Sequence, residues 1–212
     1  MISTSALVLF AGAALLMALT PGPNMIYLVS RALCQGRAAG VVSWAGVVLG
    51  FTVHMLCAAV GLTALFLAVP LGYEILKFAG AVYLLWLAWQ AVRPGSRSPF
   101  EARELPAESP RRLFTTGLLT SILNPKVAIF YLSVLPQFVS PEAGSVLGQS
   151  LVLGITQVCI GATVNLLVTL SAAGIAAWFA SNPVWLAVQR YLMGIVLGAL
   201  AIRLLGQQRS AA

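Results

Sequence analysis

The chain has no aspartate, one histidine and three cysteines, and only 8% of its residues are charged. Each scarcity argues against a class of function. The only acids are Glu74, Glu101, Glu104, Glu108 and Glu142, so a carboxylate-rich centre has little to draw on. Cys34, Cys57 and Cys159 are odd in number and lack a CxxC spacing, which argues against a disulfide scaffold and a zinc site. An integral-membrane enzyme would need a nucleophile–base set or metal ligands, and one His, no Asp and no Cys cluster make that a poor reading. Neither a metal nor a cofactor is expected. A soluble domain carries roughly a quarter charged residues, so the low charge excludes that class too.

What the chain has in abundance is apolar surface. It is 60% hydrophobic, with a mean hydropathy of +0.96. No charged residue falls within Met1–Ser30, Ala38–Tyr73 or Ala143–Gln189. A spanning helix needs about 20 apolar residues, so each of the last two runs holds more than a single span. The lipid bilayer is therefore the solvent. The net charge of +7 reads as membrane orientation and not as nucleic-acid binding, because the arginines lack interleaved aromatic platforms. The N-terminus has no basic leader and reads as a retained first span.

Six spans fit: Ser5–Ser30, Gly40–Val69, Tyr73–Val92, Leu113–Phe138, Val146–Phe179 and Val184–Leu205. Arg93–Arg112 is a polar linker between two three-span halves, residues 1–92 and 113–212. Arg31 and Arg37 in one loop, and Arg93, Arg97, Arg103, Arg111 and Arg112 in another, place both loops on the cytoplasmic side. Both termini are then expected outside.

The first and fourth spans are interrupted, at Thr20-Pro21-Gly22-Pro23-Asn24 and at Asn124-Pro125-Lys126. Shifting the chain by 104 positions lays Pro21 on Pro125, Tyr27-Leu28 on Tyr131-Leu132, Gly40 on Gly144 and Val48-Leu49-Gly50 on Val152-Leu153-Gly154. The register indicates a duplication. Three spans per half would invert the second copy. In agreement, Arg31 and Arg37 correspond to uncharged Leu135 and Pro141. The fold expected is all-α and membrane-integral, an inverted 3+3 repeat with helices 1 and 4 broken by proline motifs.

Proline lacks an N–H and clashes with the preceding turn, so Pro21, Pro23 and Pro125 cannot lie in regular helix interiors. Gly22 permits unusual dihedrals. Half-helix ends offer N–H groups to a carboxylate and C=O groups to an ammonium, as an amino acid zwitterion requires. Thr20, Asn24 and Asn124 add neutral donors and acceptors. Lys126 either holds a substrate carboxylate, changes charge during the cycle, or snorkels at an interface. His54 is read as a hydrogen-bonded interhelical histidine, with titration as the alternative. Glu74 and Lys77 read as an interfacial pair. Gly46-x-x-x-Gly50 and Gly194-x-x-x-Gly198 suit either intramolecular packing or a homodimer.

Thr20–Gly50 resembles the opening signature of the LysE/RhtB family of amino acid exporters. Phe114-x-x-Gly117 followed by Leu123–Phe138 resembles the second, in the same order and spacing. The resemblance covers essentially the whole chain. It implies a bacterial inner-membrane exporter of amino acids or close derivatives, driven by the proton gradient. No Glu lies deep in a span, so the candidates for proton coupling are Glu74, His54, Lys126 or the substrate's own amine. The leading expectation is export of small neutral or basic amino acids through a site at the two breaks. The alternative is a non-transporting assembly subunit, which explains the glycine faces but not the paired breaks.

Overall fold

A computed structural model of the chain describes residues 2–20, 22–68 and 106–181, and single residues at 78, 82, 85, 86, 89, 93, 184, 191, 195, 198, 199 and 202. Among them are six helices and no strand: α1 Thr4–Leu19, α2 Pro23–Gln35, α3 Arg37–Ala68, α4 Pro110–Ile122, α5 Pro125–Ser133 and α6 Val146–Ser181. Helices α3 and α6 are long and apolar enough to cross a membrane. The pairs α1–α2 and α4–α5 each pass the same test as one broken span, bent by 50° and 43°. Two of the six expected spans are thus present, and four if each bent pair is one span. Most of the third and sixth lie outside the described residues. Phe78, Val82, Leu85, Trp86 and Trp89 in the third are exposed, as a lipid-facing stripe would be.

The prolines begin helices. Pro23, Pro110 and Pro125 each open their helix, where the missing N–H would have had no intrahelical partner. Ser3 and Ser109 cap α1 and α4 through their hydroxyls, which accept from Ala6 N at 3.2 Å and Arg112 N at 3.4 Å. Asn124 caps α5, accepting from Lys126 N at 3.0 Å.

The core lies between α1, α3, α5 and α6. It contains Phe10, Met17, Val47, Phe51, Val127, Phe130, Tyr131, Leu135 and Leu153. Helices α3 and α4 cross backbone to backbone. A Cβ at Gly46 would collide with the Phe114 carbonyl, one at Gly117 with the Ser43 carbonyl, and one at Gly50 with Ser121. The Gly46–Gly50 motif therefore packs within the protomer. Its Gly194 counterpart lies outside the described residues. Because a carbonyl cannot swing aside, Gly46→Ala is expected to destabilise the protein by about 1–3 kcal/mol. A thermal melt in detergent against wild type checks this.

The two broken spans run in opposite directions. The start of α1 meets the far end of the second broken span, with Phe10 5.6 Å from Phe130 and 5.4 Å from Phe138 between ring centroids. The end of α2 meets the start of α4, where Arg31 pairs with Glu108 at 2.8 Å and Tyr27 Oη donates to Leu113 O at 2.8 Å.

Candidate functional site

Where a helix stops, its last carbonyls lose their intrahelical donors. At the first break, Thr20 repairs part of that loss locally: its hydroxyl donates to Leu16 O at 2.8 Å. Its backbone N–H also donates to Leu16 O at 3.1 Å and Met17 O at 3.2 Å, and a further donor comes from the second break. Lys126 Nζ donates to Met17 O at 3.0 Å and to Thr20 O at 2.6 Å. At the second break, Ser121 O receives His54 Nε2 at 3.0 Å. A carbonyl can only accept, so this nitrogen carries the proton. Asn24 Nδ2 donates to Ser121 Oγ at 3.4 Å. Each interruption is thus completed by side chains from the other half of the chain or from α3.

Gly22 acts differently from the expectation. Its backbone is extended, at φ −161° and ψ −178°, a conformation any residue adopts. What matters is the missing side chain: a Cβ there would stand 3.0 Å from both Cε and Nζ of Lys126. The glycine makes room for the lysine arm.

Asn24, Asn124 and Lys126 line a cavity of about 10 Å³, with Met17, Phe51, Val127, Gln157 and Asn165. It has room for about one water. Its amides are deeply buried: Asn24 is 5% exposed, Asn124 1% and Gln157 0%. Each leaves one polar atom without a partner, namely Asn24 Oδ1, Asn124 Nδ2 and Gln157 Nε2. A buried polar atom left unmatched costs about 1–3 kcal/mol, and such groups in native proteins call for an explanation. Here one acceptor and two donors gather around a single cavity. Among the described residues the lining contains no carboxylate.

The structure therefore brings together Thr20, Asn24, Asn124 and Lys126. It puts Gly22 between α1 and α2, and Pro23 and Pro125 at the first positions of α2 and α5. His54 reaches the second break from α3 but does not line the cavity. Its partner is an interhelical carbonyl, and its ring stacks at 6.3 Å on Tyr131. Pro21 and Glu74 lie outside the described residues. Sequence reasoning missed Gln157, which Tyr131 Oη fixes by donating to Oε1 at 2.6 Å. An uncharged amide in the run Val146–Phe179 was the available signal, since such residues commonly bond across helices in membranes.

About two helical turns beyond Asn24, roughly 10 Å along α2, a polar cluster joins α2 to the start of α4. Arg31 pairs with Glu108, and its Nη1 donates to Pro106 O at 3.1 Å. Gln35 Nε2 donates to Glu108 O at 2.6 Å, and its Oε1 accepts from Glu108 N at 2.9 Å. The last part of Arg93–Arg112 is thus docked and not a free linker.

The family model for LysE type translocators matches residues 15–208. The chain is similar to a homoserine/homoserine lactone efflux protein of Salmonella typhimurium, 34% identical over 77% of this chain and 78% of the relative. It is also similar to an uncharacterized membrane protein of Pseudomonas aeruginosa, 32% identical over 76% of each chain. A leucine efflux protein of Enterobacter sp. is 30% identical over 65% of each. No solved structure matches.

Proposed function

The chain belongs to the family of LysE type translocators, and on that premise we propose that it exports a small neutral or basic amino acid, or a close derivative, through the cavity between the two breaks. The observation carrying this reading is the set of three buried, unmatched amide atoms on Asn24, Asn124 and Gln157. A zwitterion offers partners for both kinds: its ammonium suits Asn24 Oδ1, and its carboxylate suits the two amide donors. Two relatives are efflux proteins for homoserine and its lactone and for leucine; homoserine and leucine are zwitterions, and the lactone, which lacks a free carboxylate, shares their α-amine.

The architecture proposed is six spans in two inverted halves, 1–92 and 113–212, joined by 93–112. The opposite directions of the two broken spans support the inversion. So does the contact between Gly22 and Lys126, which are equivalent positions under the 104-residue shift. The setting proposed is a bacterial inner membrane, with the Arg31–Glu108 end cytoplasmic, both termini periplasmic and the proton gradient driving export. At 10 Å³ the cavity is too small for an amino acid, so substrate entry requires the halves to move apart.

Liposomes loaded with labelled amino acids test this. The protein should release at least one of them, and an imposed proton gradient should accelerate that release. Asn24→Ala should slow it about tenfold, the value of one hydrogen bond to a charged group. Failure of any amino acid to cross, with the protein folded and inserted, would leave the assembly-subunit reading in its place.

A further inference from the structure

We propose that the Lys126 ammonium is an internal stand-in for the substrate's ammonium, occupying its seat until an amino acid displaces it. This deepens the reading above and rests on the cavity being the substrate site.

The seat is the carboxyl end of α1. Met17 O and Thr20 O are the carbonyls through which Lys126 is held, at 3.0 and 2.6 Å. A helix C-terminus carries partial negative charge and favours a cation. Lys126 itself stands at the second position of α5, a helix N-terminus, where the dipole disfavours a cation. Its own helix therefore repels the charge that the opposing helix holds. Among the described residues no carboxylate lines the cavity, and the Glu108 carboxylate is committed to Arg31 and Arg112. Lys126 is only 8% exposed. A buried ammonium whose partners among the described residues are backbone carbonyls is replaceable by any other ammonium of equal reach. An ammonium also has three donors, and the carbonyls engage two of them, leaving one for the cavity.

The geometry also supplies the exchange. The arm lies across Gly22, where a Cβ would approach its Cε and Nζ to 3.0 Å. Its withdrawal frees the volume in which an amino acid would lie. The incoming ammonium takes Met17 O and Thr20 O. Lys126 swings to the carboxylate, beside the unmatched donors Asn124 Nδ2 and Gln157 Nε2. One cation replaces another on the carbonyls, and the displaced one gains a counter-ion. No covalent bond changes. A free α-ammonium is thus required of every substrate, whatever its side chain.

Two measurements test the seat. In wild-type liposomes, the N-acetyl derivative and the 2-hydroxy acid analogue of a transported amino acid should cross about tenfold more slowly or less, from loss of the charged hydrogen bonds. In Lys126→Met, the emptied seat should accept a probe: millimolar propylamine should raise the melting temperature of the variant and leave wild type unchanged. Tetramethylammonium, a cation without a donor, should shift neither protein. Transport of the N-acetyl derivative at the rate of the free amino acid would overturn the proposal while leaving the exporter reading intact. So would a Lys126→Met protein that folds and ignores propylamine. Rescue by propylamine with no amino acid transported by wild type would keep the seat and remove the exporter reading.

Discussion

Glu108→Ala is expected to destabilise the protein by about 3–5 kcal/mol, the range found when one partner of a buried ion pair is removed. Glu108 and Arg31 have side chains 11% and 8% exposed and meet at 2.8 Å. Arg31 Nε is already buried without a partner. Removing the carboxylate leaves the guanidinium with Pro106 O and the face of Tyr27, 5.7 Å from its ring centroid, and neither neutralises it. Exchanging both members for apolar residues, Arg31→Met with Glu108→Leu, should recover most of the loss, because no buried charge then remains unmatched. Arg112 also touches Glu108, at 3.4 Å, but is 73% exposed, so Arg112→Ala should cost at most a few tenths of a kcal/mol. Detergent melts of the single and double variants give the coupling directly. Equal losses for Arg112→Ala and Glu108→Ala would contradict a buried-pair origin.

Asn124 has two duties, and two substitutions separate them. Its Oδ1 caps α5 by accepting from Lys126 N, while its Nδ2 faces the cavity unmatched. Asn124→Ser keeps an oxygen suited to the cap and loses the donor. Asn124→Ala loses both. Stability should fall by about 1 kcal/mol in the alanine variant and by little in the serine variant. Export should fall about tenfold or more in both, mainly as a raised KM, if the donor holds a substrate carboxylate. Normal export by Asn124→Ser at matched protein level would reduce Asn124 to a helix cap.

The breaks were legible because their causes are local. A proline with no N–H fixes where a helix starts, and Pro23 and Pro125 act where they stand. The partners across the breaks were not legible. Whether Lys126 reaches a lipid interface or the end of α1 depends on how two helices rotate and cross, and no spacing within the chain encodes that. Gln157 was hidden for the same reason: its polarity was visible in an apolar run, its depth was not. Arg31 misled in the other direction. Counted as a loop charge, it is buried in α2 against Glu108, so the uncharged Leu135 at its equivalent position reflects the lack of such a partner and is weaker support for inversion. Gly22 was assigned to the right segment for the wrong property, backbone freedom instead of space.

The antiparallel course of the broken spans gives the two ends of the molecule unlike closures. A path leaving the cavity along α2 passes the Arg31–Glu108 pair, whereas one along α1 passes Phe10, Phe130 and Phe138. Wetting an ion pair lowers heat capacity, and wetting aromatic rings raises it. If the halves move apart to pass substrate, as proposed, the two half-cycles should respond to temperature with opposite curvature. Rate–temperature plots for loading and for release, taken separately, would bend in opposite senses, and warming would shift which of the two limits turnover.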